Sequence, residues 1–159
     1  MLFIFDLDGT AIDSSHRQNT LPDGSLNLDA WRENSTPEMV ARDTLLPLGE
    51  GWKAGLTGKI AIITARVLTH ADYAFLRNNG LHYDFIYSRP EGDNTPDDQL
   101  KRMALYQLAK DIGRSMVYLR QFAIFFDDNV SVRKMADKLG IATVDAIAYN
   151  NASILKKAL

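Results

Sequence analysis

Five short apolar runs divide the chain: Leu2–Phe5, Ile60–Ile63, Tyr83–Tyr87, Phe122–Phe126 and Ile141–Val144. Each is rich in Ile, Val and Phe and short enough to be a buried strand. Helix-period patterns fall between the later runs, from Thr69 to about Asn79, from Pro96 to about Ile112 and from Val130 to Leu139. Each of the three is followed by a glycine (Gly80, Gly113, Gly140) where a left-handed helix cap is expected. Thr95-Pro96 reads as an N-cap followed by a first-turn proline. Strands alternating with helices predict a parallel sheet covered on both faces, a Rossmann-like α/β domain. Phe3, Phe5, Phe122, Phe125 and Phe126 are then expected in the strand core.

Residues 11–58 interrupt this rhythm and read as a flap or cap inserted after the first strand of a single domain spanning 1–159. Ser14 to Leu28 is polar, with Pro22-Asp23-Gly24 as the turn of a small hairpin. Ser35-Thr36-Pro37-Glu38 reads as a capping box opening a helix to about Leu46, which Pro47 and Gly49 break. Trp31 and Trp52 are expected to pack the insertion onto the body, and His16, beside Arg17, to lie in a solvated loop or touch substrate. The stretch Asn150 to Leu159 reads as a short final helix.

Composition narrows the chemistry. The chain has no cysteine, which excludes thiolate catalysis, disulfides and Cys-based zinc sites. A net charge of −2 argues against electrostatic coating of long nucleic acid, though not against a local basic pocket for one end. No apolar stretch is long enough to span a bilayer, and Asp6 interrupts the N-terminal apolar run, so a cytoplasmic location is expected.

The chemistry-bearing residues follow the strands. Phe5-Asp6-Leu7-Asp8-Gly9-Thr10 ends the first strand in two carboxylates one residue apart, which extended backbone would send to one side. One such carboxylate can attack while the other moves a proton. Thr64-Ala65-Arg66 follows the second apolar run, and Asp127-Asp128-Asn129 follows the fourth. Taken singly, Thr64 is an ordinary turn residue, the acidic pair a helix cap, and Lys101 a solvated partner of Asp97. Together, at one edge of a parallel sheet, Asp6, Asp8, Thr64, Asp127 and Asp128 would line a single crevice. Clustered carboxylates call for a hard divalent cation such as Mg²⁺, and Thr64, Lys101 and arginines supply donors to phosphate oxygens. That combination suits phosphoryl transfer.

The order of these motifs resembles the haloacid dehalogenase-like superfamily of aspartate-nucleophile phosphatases over about residues 1–145. The resemblance implies Asp6 as nucleophile, Asp8 as general acid and base, and Thr64 and Lys101 on phosphate. It assigns Asp6, Asp8, Asp127 and Asp128 to Mg²⁺, and the turn residues Gly9 and Thr10 to the substrate side. Within the superfamily, Thr64-x-Arg66, Ser88-Arg89-x-Glu91-Gly92-Asp93, Asp97-Asp98-x-x-Lys101 and Asp127-Asp128 resemble the phosphatase domain of bacteriophage polynucleotide kinase-phosphatases. Arg66 and Arg89 inherit a substrate-binding role from that likeness, and the expected partner is a 3′-phosphorylated nucleic-acid end or nucleotide, met in the host cytoplasm if the chain is phage-encoded. Asn129 stands where that family carries arginine, which removes a cation. No P-loop pattern is present, so kinase activity is not expected. A 5′-nucleotide or other small-molecule phosphatase is the alternative, and a non-catalytic module that grips phosphate ends or a protein is an alternative of another class.

Overall fold

A computed structural model describes residues 1–158. Five parallel strands form the central sheet: β1 (Leu2–Phe5), β4 (Lys59–Ile63), β5 (Phe85–Tyr87), β6 (Ala123–Asp127) and β7 (Ala142–Asp145), in the order β5-β4-β1-β6-β7. The order reverses at β1, so a crevice opens beyond its carboxyl end between β4 and β6.

Side-chain alternation builds two cores from these strands. Leu2 and Ile4 face one layer with Ala61, Ile63 and Phe125, covered by α5 (Asp97–Asp111), α6 (Met116–Phe122) and α7 (Val130–Lys138). Phe5, Ile60 and Ile62 face the other layer, with Trp52 of α3 (Pro47–Ala54), Phe75 and Leu76 of α4 (His70–Asn78) and Ala146 of α8 (Ala146–Ala158). Phe5 is stacked between Trp52 and Phe126, at ring-centroid distances of 4.7 and 4.8 Å.

The chain between β1 and β4 holds β2 (Ile12–Asp13), a 3-10 turn, α1 (Leu28–Glu33), α2 (Pro37–Val40), β3 (Thr44–Leu45) and α3. β2 and β3 pair antiparallel. The expected hairpin around Pro22-Asp23-Gly24 closes through a bridge between Thr20 and Leu26.

Several expectations are corrected. The helix opened by Thr36 ends at Val40 instead of Leu46, and Pro47 starts a helix where a break is expected. The N-cap there is Thr36, which accepts from the Met39 amide, so Ser35 and Glu38 form no capping box. Pro96, not Thr95, occupies the cap position of α5. Phe122 ends helix α6 and is exposed, because the chain turns into β6 only at Ala123; Tyr83 and Asp84 likewise precede β5. α8 begins at Ala146, four residues before the expected start, and Leu159 lies outside the described residues. Among the described residues no helix is long and apolar enough to cross a membrane.

Candidate active site

Register and alternation set the heart of the site. Phe5 pairs with Phe126, so Asp6 and Asp127 are the next step on adjacent strands and continue the Ile4 and Phe125 face. That face is the one covered by α5, and Lys101 enters from its second turn. Its buried Nζ donates to Asp6 Oδ1 and to Asp127 Oδ2, both at 2.8 Å. Burial alone would lower the lysine pKa, but the two carboxylates outweigh it and hold Lys101 charged, above its ordinary range.

Beyond Asp6 the strand geometry stops. The Leu7 carbonyl accepts from the Thr10, Ala11 and Ile12 amides, winding the chain into a tight turn. Gly9 sits in that turn at φ +73°, a conformation that favours glycine, and a Cβ there would also push the Asp128 carboxylate aside. Thr10 is fully buried. Its hydroxyl donates to Asp6 Oδ2 and accepts from the Asp128 amide, both at 3.1 Å, stitching the turn after β1 to the acidic loop after β6. Asn150 of α8 holds the same turn from behind: its Nδ2 donates to the Thr10 carbonyl while its Oδ1 accepts from the Leu48 amide.

Asp6, Asp127 and Asp128 come together, with carboxylate oxygens within 4.8 Å of one another. Burial and the neighbouring Asp6 charge push the Asp127 and Asp128 carboxyls above their ordinary range. Three carboxylates facing one ammonium form an oxygen-donor set short of positive charge, which fits a hard cation. The Asp8 side chain is not in this group, because the turn at Leu7 takes it off the strand path and ends the alternation that would have put it beside Asp6.

Asp8 belongs to a second cluster. Arg66, which follows β4, grips it with a fork, Nε to Oδ2 at 2.9 Å and Nη2 to Oδ1, while Arg66 Nη1 donates to Asp72. Ser14 adds a 2.6 Å hydrogen bond to Asp8 Oδ1. Burial would raise the Asp8 carboxyl, yet the charge and hydrogen bonds of Arg66 overcome it and leave the pKa lowered. Asp72 is buried at the third position of α4 and completes a capping box with Thr69, so one carboxylate both starts that helix and aims Arg66. Arg66 Nη2 also lies 3.9 Å from Asp43, which is paired bidentately with the fully buried Arg17 and touched by His16 Nε2. Trp31 lies over the Arg17 guanidinium at 4.3 Å and near that of Arg66 at 5.4 Å.

The remaining expected residues divide. Thr64 is buried at the end of β4, and its hydroxyl accepts from the Arg66 amide, leaving its proton to donate. Arg89 is spent on protein: it donates to the carbonyls of Ala65, Asp93 and Thr95 and to Asp97 Oδ1, bracing the loop before α5. Asn129 caps α7 by accepting from the Ser131 amide. Sequence reading missed Arg17, Asp43, Asp72 and Asn150 as site-supporting residues. Only the Thr69-x-x-Asp72 spacing carried a local signal, since the other contacts join residues 26 to 140 positions apart.

The crevice thus gathers Asp6, Asp127, Asp128 and Lys101 at one end of the sheet, and comparison with known proteins gives its lineage. The family model described as Bacteriophage T5 5′-deoxynucleotidase matches residues 1–158. The chain belongs to this family. The 5′-deoxynucleotidase of Escherichia phage T5 is 28% identical over 167 residues, covering 94% of this chain and 68% of that protein. The 5′-deoxynucleotidase family chain shares its fold with a haloacid dehalogenase-like hydrolase from Streptococcus pneumoniae at 16% identity and a TM-score of 0.64, covering 89% and 82% of the two chains. It also aligns with a chain of the Pnkp1/Rnl/Hen1 RNA repair complex at 20% identity and a TM-score of 0.55, covering 90% of this chain and 41% of that one. The fold is haloacid dehalogenase-like, as the order of the sequence motifs implies.

Proposed function

We propose that the chain is a Mg²⁺-dependent phosphomonoesterase that removes the 5′-phosphate of deoxynucleoside monophosphates through an aspartyl-phosphate. The observation that carries this reading is the Asp6 carboxylate, fixed by Lys101 and Thr10 at a strand end and facing Asp127 and Asp128. The match to a 5′-deoxynucleotidase family supports this substrate class.

The donor set fits Mg²⁺, which Asp6, Asp127 and Asp128 would hold and which would neutralise phosphate charge when bound. Asp6 attacks phosphorus, the ester P–O bond breaks, and the leaving nucleoside oxygen takes a proton from Asp8. Water then attacks the aspartyl-phosphate, Asp8 accepts its proton, and inorganic phosphate leaves with Asp6 restored. Lys101 and the Thr64 hydroxyl would donate to phosphate oxygens. Asp8 held ionised by Arg66 suits the second half. The first half requires Asp8 to carry a proton, so Arg66 must slacken its grip as the phosphate, a competing anion, arrives.

The 3′-phosphatase reading relies on Arg66 and Arg89 as substrate contacts. Arg89 is engaged by the carbonyls of Ala65, Asp93 and Thr95 and by Asp97, which favours the 5′-mononucleotide reading. Phosphate release from 5′- and 3′-deoxymononucleotides, a 3′-phosphorylated oligonucleotide and a sugar phosphate tests the choice. The expected order puts the 5′-deoxymononucleotides first; preference for either of the last two would overturn it.

A further inference from the structure

Helices α5 and α7 both begin at the catalytic edge of the sheet and pack side by side. α5 delivers Lys101 to Asp6, and α7 starts two residues after Asp128. Between them runs a cleft of about 470 Å³ with Met135 and Leu139 as its apolar floor. Its rim carries Arg102, Lys134 and Lys138, all exposed, and none forms an ion pair among the described residues. Lys134 and Lys138 stand one helical turn apart, about 6 Å along the cleft. The one acid of the lining, Asp98, accepts from the Gln99 amide in the first turn of α5, where the helix end already favours negative charge. Ser131 brings the mouth of the cleft within three residues of Asp128.

Arg102, Lys134 and Lys138 against the single acid Asp98 give this cleft a positive rim on a chain of net charge −2. The base and sugar of a mononucleotide are uncharged and need no such rim, whereas the phosphodiesters of a continuing strand do. We propose that this cleft holds the next nucleotides of a single strand whose phosphorylated end lies at Asp6, so that short oligonucleotides are substrates besides mononucleotides. The apolar floor would meet a base and the cations its flanking phosphates. This inference rests on the phosphomonoesterase reading and extends its substrate class to 5′-phosphorylated single strands; a 3′-phosphorylated strand is the control, and its preferred cleavage would overturn the 5′ reading itself.

The experiment compares wild type with R102Q/K134Q/K138Q. Substrates are a 5′-deoxymononucleotide and 5′- or 3′-phosphorylated single strands of about four nucleotides. Wild type is expected to cleave the 5′-phosphorylated strand with kcat/KM about tenfold above the mononucleotide, and the triple variant to lose that advantage while mononucleotide turnover stays within about twofold. The salt dependence of strand KM should flatten by about two in log-log slope, given three lost phosphate contacts. Equal efficiency on strand and mononucleotide by wild type, or a strand preference untouched in the variant, overturns the proposal. If wild type hydrolyses neither class, the phosphatase reading has failed. Fluorescence anisotropy of a labelled phosphorylated strand then decides the cleft alone: binding that weakens about tenfold in the variant supports it, and unchanged or absent binding sinks it.

Discussion

The two charge clusters beside the turn after β1 each gather three aspartates and balance them differently. Around Asp6, Asp127 and Asp128 there is one ammonium for three carboxylates. Around Asp8, Asp43 and Asp72 there are two guanidinium groups, with the His16 ring 2.8 Å from Asp43. The carboxyls respond in opposite directions: Asp127 and Asp128 are pushed up, chiefly by burial and then by Asp6, whereas Asp8 is pulled down because Arg66 outweighs its burial. The first cluster is therefore arranged to receive positive charge, and the second already contains what it needs. That contrast separates the proposed cation site from Asp8, the proposed acid and base only two residues from the proposed nucleophile.

The sharpest way to break the contrast is to remove the ammonium. Lys101→Met leaves Asp6 and Asp127 buried without their partner, and phosphatase kcat should fall by about 10²–10³. An activity loss under threefold would show that Lys101 is not needed at the phosphate.

Next comes the fork on Asp8. Arg66→Lys keeps charge but cannot hold Asp8 and Asp72 together, and we expect a loss of about ten- to a hundredfold in kcat/KM. Asp8→Asn should damage alkyl phosphates more than aryl phosphates, because the poorer leaving group needs the proton. Equal losses on both classes would remove Asp8 from that role.

Stability gives the complementary test. Arg17 and Asp43 are both fully buried at the side chain, so Arg17→Met strands a carboxylate and should cost about 3–5 kcal/mol in chemical denaturation. In the other cluster the sign reverses. Asp128→Asn removes one of three repelling acids, and the metal-free protein should gain about 1 kcal/mol, a Tm rise of about 2–4 °C. The same variant should lose the Tm increase that Mg²⁺ gives the wild type. A destabilised metal-free D128N would mean that the acids are not under mutual repulsion.

The smallest effect is expected at Arg89. Its donors brace the loop at residues 93–97, so Arg89→Ala should cost about 1–3 kcal/mol of stability while changing kcat less than tenfold. A loss of several hundredfold without destabilisation would return Arg89 to the substrate.

These contrasts also explain what was legible beforehand. The strands carrying Asp6, Thr64 and Asp127 were readable because each is a short apolar run ended by polar residues, and α4, α5 and α7 because glycine stops each one. Strand register then carried Asp6 and Asp127 to one face without further information. The position of the Asp8 side chain was not readable, since it depends on three amides converging on the Leu7 carbonyl and on a guanidinium 58 residues away. The insertion was obscure for the same reason: Arg17–Asp43 and Asn150–Thr10 are long-range contacts that leave no local pattern. Helix α6 escaped notice because no glycine or proline separates Phe122 from β6, so one apolar run spans two elements.

The central claim is that Asp6 of the under-neutralised cluster performs phosphoryl transfer from a nucleotide. Inorganic phosphate release from the 5′-deoxymononucleotides, measured with and without Mg²⁺ for wild type and Asp6→Asn, tests it most directly. The account predicts Mg²⁺-dependent release by the wild type and a fall of at least about a thousandfold in the variant. Turnover by Asp6→Asn at the wild-type rate, or no release from any of these nucleotides by the wild type, would contradict it.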